Sequence, residues 1–205
     1  MVRAGRKIRW AFAVPLLLGC CDRISAQNSA SSLLDSSGQI DIHGRAAPYL
    51  IRHLPVNAFP QLPQAIQDRL SRRGCLIPQT YEAHRPENVV RASLERRGSS
   101  DWAVLCSVNG TVSLLVFLSS SNGDPTVLAT APETSRLQSH GASKVLGFNW
   151  AIDPASPEQI HEAQLGMRHP SARLDHDALA DSVIDERTIY RFYSGNGWTI
   201  LDTAD

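Results

Sequence analysis

Asp175-His176-Asp177 is the most reactive-looking tripeptide in the chain. An imidazole between two carboxylates has the residue types of a general acid/base pair, and with His161 and His169 upstream it also has donors suited to zinc. The spacing argues against both uses. Consecutive side chains point in different directions, so one ion cannot draw three ligands from a tripeptide, and the intervals to His161 and His169 match no zinc motif. A structural role suits the same residues: Asp175 or Asp177 as the cap of a short helix over 178–184, with His176 packed or hydrogen-bonded locally. His176, Asp175 and Asp177 are therefore the candidates if the protein is a small hydrolase. No catalytic residue, cofactor or metal is assigned, and the balance leans away from an enzyme.

Other chemistries lack their motifs. The serines form no Gly-x-Ser-x-Gly elbow and no Ser-x-x-Lys pair, and neither phosphate-cradling nor dinucleotide-binding glycine loops occur. The first 26 residues place Arg3, Arg6, Lys7 and Arg9 before an apolar run from Trp10 to about Cys21, too short to span a bilayer. That pattern is a secretory signal peptide with two exits. Ile24-Ser25-Ala26 suits an ordinary signal peptidase and a periplasmic or secreted product, whereas Leu17-Leu18-Gly19-Cys20 resembles a lipobox and would leave a membrane-anchored lipoprotein acylated at Cys20. No later segment is apolar enough for a transmembrane span.

Removal of that leader takes away five of 20 basic residues and one of 20 acidic ones, leaving 15 against 19. A mildly acidic chain without a Lys/Arg block is a poor partner for nucleic acid, whose binding rests largely on phosphate neutralisation. Cleavage also removes Cys20 and Cys21. Cys75 and Cys106 are then the remaining pair in an oxidising compartment, and they are expected to form a disulfide. Neither has the neighbouring cysteine or histidine that a reactive or metal-binding thiol would show.

The elements that would position these residues are partly legible. Residues 27–58 begin with a Ser/Asn/Asp-rich run and read as an N-terminal tether, with a single globular domain over 59–205. Leu62, Ala65, Ile66 and Leu70 fall at helical spacing, and Gly74 suits the residue that ends a helix, delivering Cys75 directly after it. Asn109-Gly110 separates two β-rich runs, Trp102–Val108 and Thr111–Leu118, and is a strong hairpin signal. The Asn109-Gly110-Thr111 sequon is therefore read as that turn. Cys106 should share a strand face with Trp102 and Val104.

Further strands are expected over 88–94, 126–129 and 145–150, with a C-terminal hairpin of Thr188–Tyr193 and Trp198–Leu201 around Ser194-Gly195-Asn196-Gly197. Ser156, Pro157 and Gln159 form a helix start with a capping box. The fold class read from this is α+β: a mostly antiparallel sheet with two or three packed helices. Trp150, Tyr190, Phe192, Tyr193 and Trp198 could line a groove, though aromatics on strands are more often core.

Two resemblances follow from quoted residues. Gly98 and the run Asp101-Trp102-Ala103-Val104-Leu105 before a hairpin resemble one integrin-type FG-GAP/VCBS repeat. Such repeats imply a calcium loop, but Arg96 and Arg97 in this loop would repel the ion, so calcium is not expected. More broadly, RRGCLIPQ, DWAVLCS and the stretch from LDHDALADSVIDERTIYRF to GWTILDTAD resemble a group of uncharacterised exported bacterial proteins. That resemblance implies export and a Cys75–Cys106 pair and supplies no catalytic residue. The function expected from sequence is an exported, non-catalytic envelope domain binding a protein or a glycan; the alternative is a periplasmic hydrolase using His176 with Asp175 or Asp177.

Mass spectrometry of the exported protein should find Gln27 as the first residue, the result of cleavage after Ala26. An acylated Cys20 would instead make this a lipoprotein.

Overall fold

The computed structural model describes residues 34–121, 124–165, 167, 173–195 and 197–202. The segment read as a signal peptide, Cys20 within it, and His169 lie outside these residues. Thirteen strands and two short α-helices make up the described chain. The α+β expectation is thereby corrected: two sheets, of nine and four strands, pack in a β-sandwich-like arrangement. The helices are too short to form a layer of their own, nine residues in α1 (Gln64–Arg72) and seven in α2 (Pro157–Ala163).

The first sheet holds β1 (Ser36–Ile42), β2 (Arg45–Pro55), β3 (Leu76–Gln79), β4 (Val89–Ala92), β5 (Asp101–Val108), β6 (Thr111–Phe117), β7 (Thr126–Pro132), β8 (Leu137–Gln138) and β9 (Leu146–Phe148). Its main order is β7-β6-β5-β3-β2-β9-β8, with β1 added to β2 and β4 to β5. All pairings are antiparallel except β2 with β9, where Tyr49 lies opposite Leu146 and Leu50 opposite Gly147. The second sheet is the antiparallel series β10 (Trp150–Ala155), β11 (Ala178–Val183), β12 (Arg187–Tyr193) and β13 (Trp198–Asp202).

Two expectations at the level of elements give way here. The segment read as a tether carries β1 and β2 from Ser36 onward, and Ile51 and His53 in it are 0% and 2% exposed. The helix expected over 178–184 is strand β11. Leu179 enters the core between the sheets while Ala178 packs on the opposite face, and this two-sided burial overrides alanine's helical preference.

One apolar cluster joins the sheets: Ile51, Leu105, Leu114 and Phe148 from the first meet Trp150, Ile152 and Leu179 from the second. The outer face of the first sheet is covered by α1. Leu62, Leu70 and Ile66 pack there against Trp102, Val104 and Cys106, on the strand face the alternation indicates. Helix α1 ends in a Schellman motif. Gly74, with φ 70°, donates to Ser71 O at 2.9 Å and Cys75 N donates to Leu70 O at 3.1 Å. The turn swings Cys75 back onto Leu70, and the Cys75–Cys106 disulfide, with Cα atoms 5.3 Å apart, ties the helix end to the sheet. On the outer face of the second sheet, α2 starts at the predicted Ser156–Gln159 capping box and buries Ile160 against Phe192 and Leu201.

Polar groups also cross between the sheets. Asn88, buried with φ 67°, donates from Nδ2 to Pro78 O (2.8 Å) and Trp150 O (3.2 Å), and accepts at Oδ1 from Ile152 N (3.1 Å). Its own carbonyl accepts from Leu105 N. Asp181 accepts from Trp150 Nε1 at 2.6 Å and from Arg191 Nε at 2.7 Å, and Arg191 reaches Leu128 O of β7.

Replacing Cys75 and Cys106 together by alanine should cost about 2–4 kcal/mol in denaturant titration, the range for a cross-link closing a loop of this size. Asn88→Ala should cost roughly 3–5 kcal/mol, because three buried backbone groups lose their partner and alanine is strained at positive φ. Asn88→Gly should be roughly 1–2 kcal/mol milder, since it removes only the strain. Equal losses for the two variants would show that the backbone conformation contributes nothing.

Candidate functional site

His176 begins where β11 starts, and its Nδ1 lies 3.0 Å from the carbonyl of Asp177. The Asp177 carboxylate does not face the imidazole. It accepts from Ser93 N at 2.9 Å while Asp177 N donates to Ser93 O at 3.0 Å, a reciprocal clasp joining the start of β11 to the end of β4. No hydrogen bond or ion pair links His176 to Asp175 or to any other carboxylate among the described residues. His176 and Asp175 do border a surface hollow with Glu95, Arg96 and Tyr193. The arrangement there supplies no orienting acid for the imidazole. His161 lies on α2, away from this hollow.

A cluster that sequence reasoning missed has the residue types of a hydrolytic triad in the wrong order. His53 Nε2 lies 2.7 Å from Glu133 Oε1, and Ser107 Oγ donates to the same oxygen. Catalysis needs the imidazole between hydroxyl and carboxylate, so that it can accept the nucleophile's proton. Here the carboxylate is central and the hydroxyl's proton is already given to it. Burial works against the charge on Glu133, but hydrogen bonds from His53 and Ser107 outweigh it and hold the carboxyl below the usual range. The cluster is a buried staple between β2, β5 and the turn after β7.

Asp101, at 0% exposure, is a second staple. It accepts from Ser119 N (2.7 Å), Glu95 N (2.9 Å) and the Ser99 hydroxyl. Burial would raise its pKa, and these donors bring it below the ordinary value instead. The acidic residue that resembles a calcium-loop ligand thus fastens two loops. Among the described residues no group of three or more His, Cys, Asp or Glu is arranged to hold a metal ion. Of the aromatics read as groove candidates, Trp150 is fully buried between the sheets, Tyr190 packs partly buried in the cluster under α2, Phe192 and Tyr193 border the hollow beside His176, and Tyr193 meets Trp198 edge to face at 5.7 Å.

The surface with the features of a binding site lies where β2 runs parallel to β9. Leu50, Val145, Leu146 and Phe148 form the apolar lining of a cavity of about 260 Å³, and Leu50 and Val145 remain 43% and 38% exposed. Tyr81 and His140 close it as a stacked pair, with ring centroids 4.5 Å apart and planes 5° from parallel. Gly147 makes this wall possible. A Cβ there would lie 2.5 Å from Tyr81 Cβ and 3.3 Å from the His140 ring. Tyr81 N donates to Phe148 O at 2.9 Å, and its hydroxyl donates to Asp185 at 3.0 Å.

Tyr81 and His140 also border a more polar hollow with Glu82, His84, Ser139 and Asp185. Arg52, on the rim of the apolar cavity, opens a third hollow with His84 and Arg85. Its Nη2 donates to Thr80 O at 3.1 Å and Ala83 O at 2.8 Å, which fixes the guanidinium in place. No motif marked these residues in the sequence. The one weak signal was Gly147 inside an expected strand.

No family model, curated protein or solved structure matches the chain.

Desolvation, then the hydrogen bond and charge of Asp185, push the Tyr81 phenol up to about 12. Its neutral form is favoured by the fold, a contribution present below about pH 10 and lost as pH rises towards 12. Of the four tyrosines, Tyr81 should therefore ionise late in an absorbance titration of the folded protein. Tyr81→Phe should remove that late transition, and Asp185→Asn should move it only part of the way back. A late transition unaltered in Tyr81→Phe would assign it to another tyrosine.

Proposed function

We propose that this protein is an exported, non-catalytic domain of the bacterial envelope that binds a ligand in the cleft between Tyr81–His140 and the exposed face of β2 and β9. The observation that carries the reading is the combination in one place of exposed apolar side chains, a stacked aromatic wall and a fixed guanidinium. Binding sites combine an apolar lining with a few placed polar groups in this way. An envelope protein is the partner this apolar lining suits, and a glycan, which needs more polar partners for its hydroxyls, is the weaker choice.

The disulfide supports a destination outside the reducing cytoplasm, and the signal peptide supports a periplasmic or secreted location. Among the described residues no helix is long and apolar enough to cross a membrane. The hydrolase alternative rests on His176, whose imidazole lacks a carboxylate partner.

Two measurements separate the readings. In amide correlation spectra recorded against a fragment library, shifts should gather on Leu50, Tyr81 and Gly147. Nitrophenyl ester, phosphate and glycoside substrates should be turned over no faster by the native chain than by His176→Ala. Shifts gathered around His176, together with turnover that the His176→Ala variant loses, would replace the binding domain with the hydrolase.

A further inference from the structure

Arg52 and Gln79 border both the apolar cavity and the adjoining hollow that His84 and Arg85 line, and of the two Arg52 carries the charge. It makes no ion pair with any described carboxylate. Two backbone carbonyls hold its Nη2, so the guanidinium is positioned without being neutralised, and Nε and Nη1 have no partner among the described residues. Of the nearby acids, Glu87 accepts from Thr80 N and Asp185 from the Tyr81 hydroxyl, while Glu82 lines the polar hollow. Asp153 is the acid that feels the field of Arg85, with Glu87 beside it. A fixed guanidinium with free N–H groups matches a carboxylate, which can take two parallel hydrogen bonds from it.

The neighbouring chamber is apolar, and its 260 Å³ falls below the usual range for whole small-molecule ligands, so it suits one side chain. The polar hollow beyond Tyr81 and His140 continues the cleft, leaving room for a longer chain to pass. Resting on the binding reading above, we propose that the cleft captures the C-terminus of a polypeptide: the last side chain, apolar, enters between Leu50, Val145 and Tyr81, and the terminal carboxylate sits on Arg52. A free organic acid shares this chemistry, but it would fill the apolar chamber and leave the polar hollow unused.

The test uses the full exported chain at neutral pH and three probes: acetyl-Gly-Ser-Gly-Ser-Leu with a free carboxyl end, the same peptide amidated, and N-acetyl-leucine. Titrations follow the backbone amides of Tyr81 and Gly147. The free-acid peptide should bind at least tenfold more tightly than the amide and more tightly than N-acetyl-leucine. Arg52→Met should lower the acid to the level of the amide and leave the amide unchanged. Should that variant fail to fold, the acid and amide on the native chain still decide.

Equal binding of acid and amide in the cleft would overturn the role of Arg52 while leaving the cleft a binding site. N-acetyl-leucine binding as tightly as the peptide acid would make the ligand a free acid and overturn the polypeptide. Absence of shifts at Tyr81 and Gly147 with all three probes would overturn this proposal and the cleft reading together.

Discussion

The two sheets are locked together through the side chain of Asn88. An apolar interface alone fixes how much surface two sheets bury but only loosely fixes their offset, because dispersion is not directional. One amide that accepts from Ile152 and donates to Trp150 on one sheet and Pro78 on the other sets that offset to within a hydrogen bond's tolerance. Asparagine is suited to the place because it tolerates positive φ better than other non-glycine residues and offers both donors and an acceptor. Trp150, the largest residue of the inter-sheet core, is held from two sides: its carbonyl by Asn88 and its indole N–H by Asp181. Arg136 lies over its ring at 4.4 Å.

Around that lock, three buried carboxylates each gather several donors. Glu133 gathers His53 and Ser107, Asp101 gathers two loops, and Asp181 gathers Trp150 and Arg191. Each carboxylate is buried and each is met by several donors, the condition under which a buried charge is tolerable. The same closure explains why these clusters are not reaction centres. A lone pair already spent on a backbone N–H or a serine hydroxyl is not available to take a substrate's proton. Arg52, at the rim of the cleft, differs in that two backbone carbonyls hold its guanidinium and no carboxylate among the described residues pairs with it.

What could be read from the sequence was what depends on a few adjacent residues. Gly74 stops α1, Asn109-Gly110 turns β5 into β6, and Ser156 to Gln159 caps α2, because each of these is decided by local backbone chemistry. The Cys75–Cys106 pair was legible for a related reason, since a helix stop and a strand parity place both sulfurs at one interface. Strand β11 was not, because Ala-Leu-Ala-Asp-Ser-Val has weak local preference and its neighbours decide its state. Strand β1 escaped for a different cause: its residues are mostly polar and exposed, its apolar alternation is limited to Ile40-Asp41-Ile42, and it is ordered chiefly by pairing with β2. Of the cleft, little beyond Gly147 inside a strand was legible. Leu50, Tyr81 and the segment 140–147 are far apart in sequence and converge only through sheet topology.

That topology has a kinetic side. The parallel contact of β2 with β9 sets Tyr49 opposite Leu146, a separation of 97 residues, whereas the antiparallel hairpins close over a few. Contacts between distant parts of a chain pay their loop-closure entropy before any bond rewards them, so hairpins such as β5–β6 form sooner than the β2–β9 junction. Before the junction closes, Leu50 and Gly147 belong to separate substructures and the cleft between them does not exist. The chain consequently carries this hollow on a seam of long sequence separation. A molecule caught before that junction closes has its hairpins and no cleft.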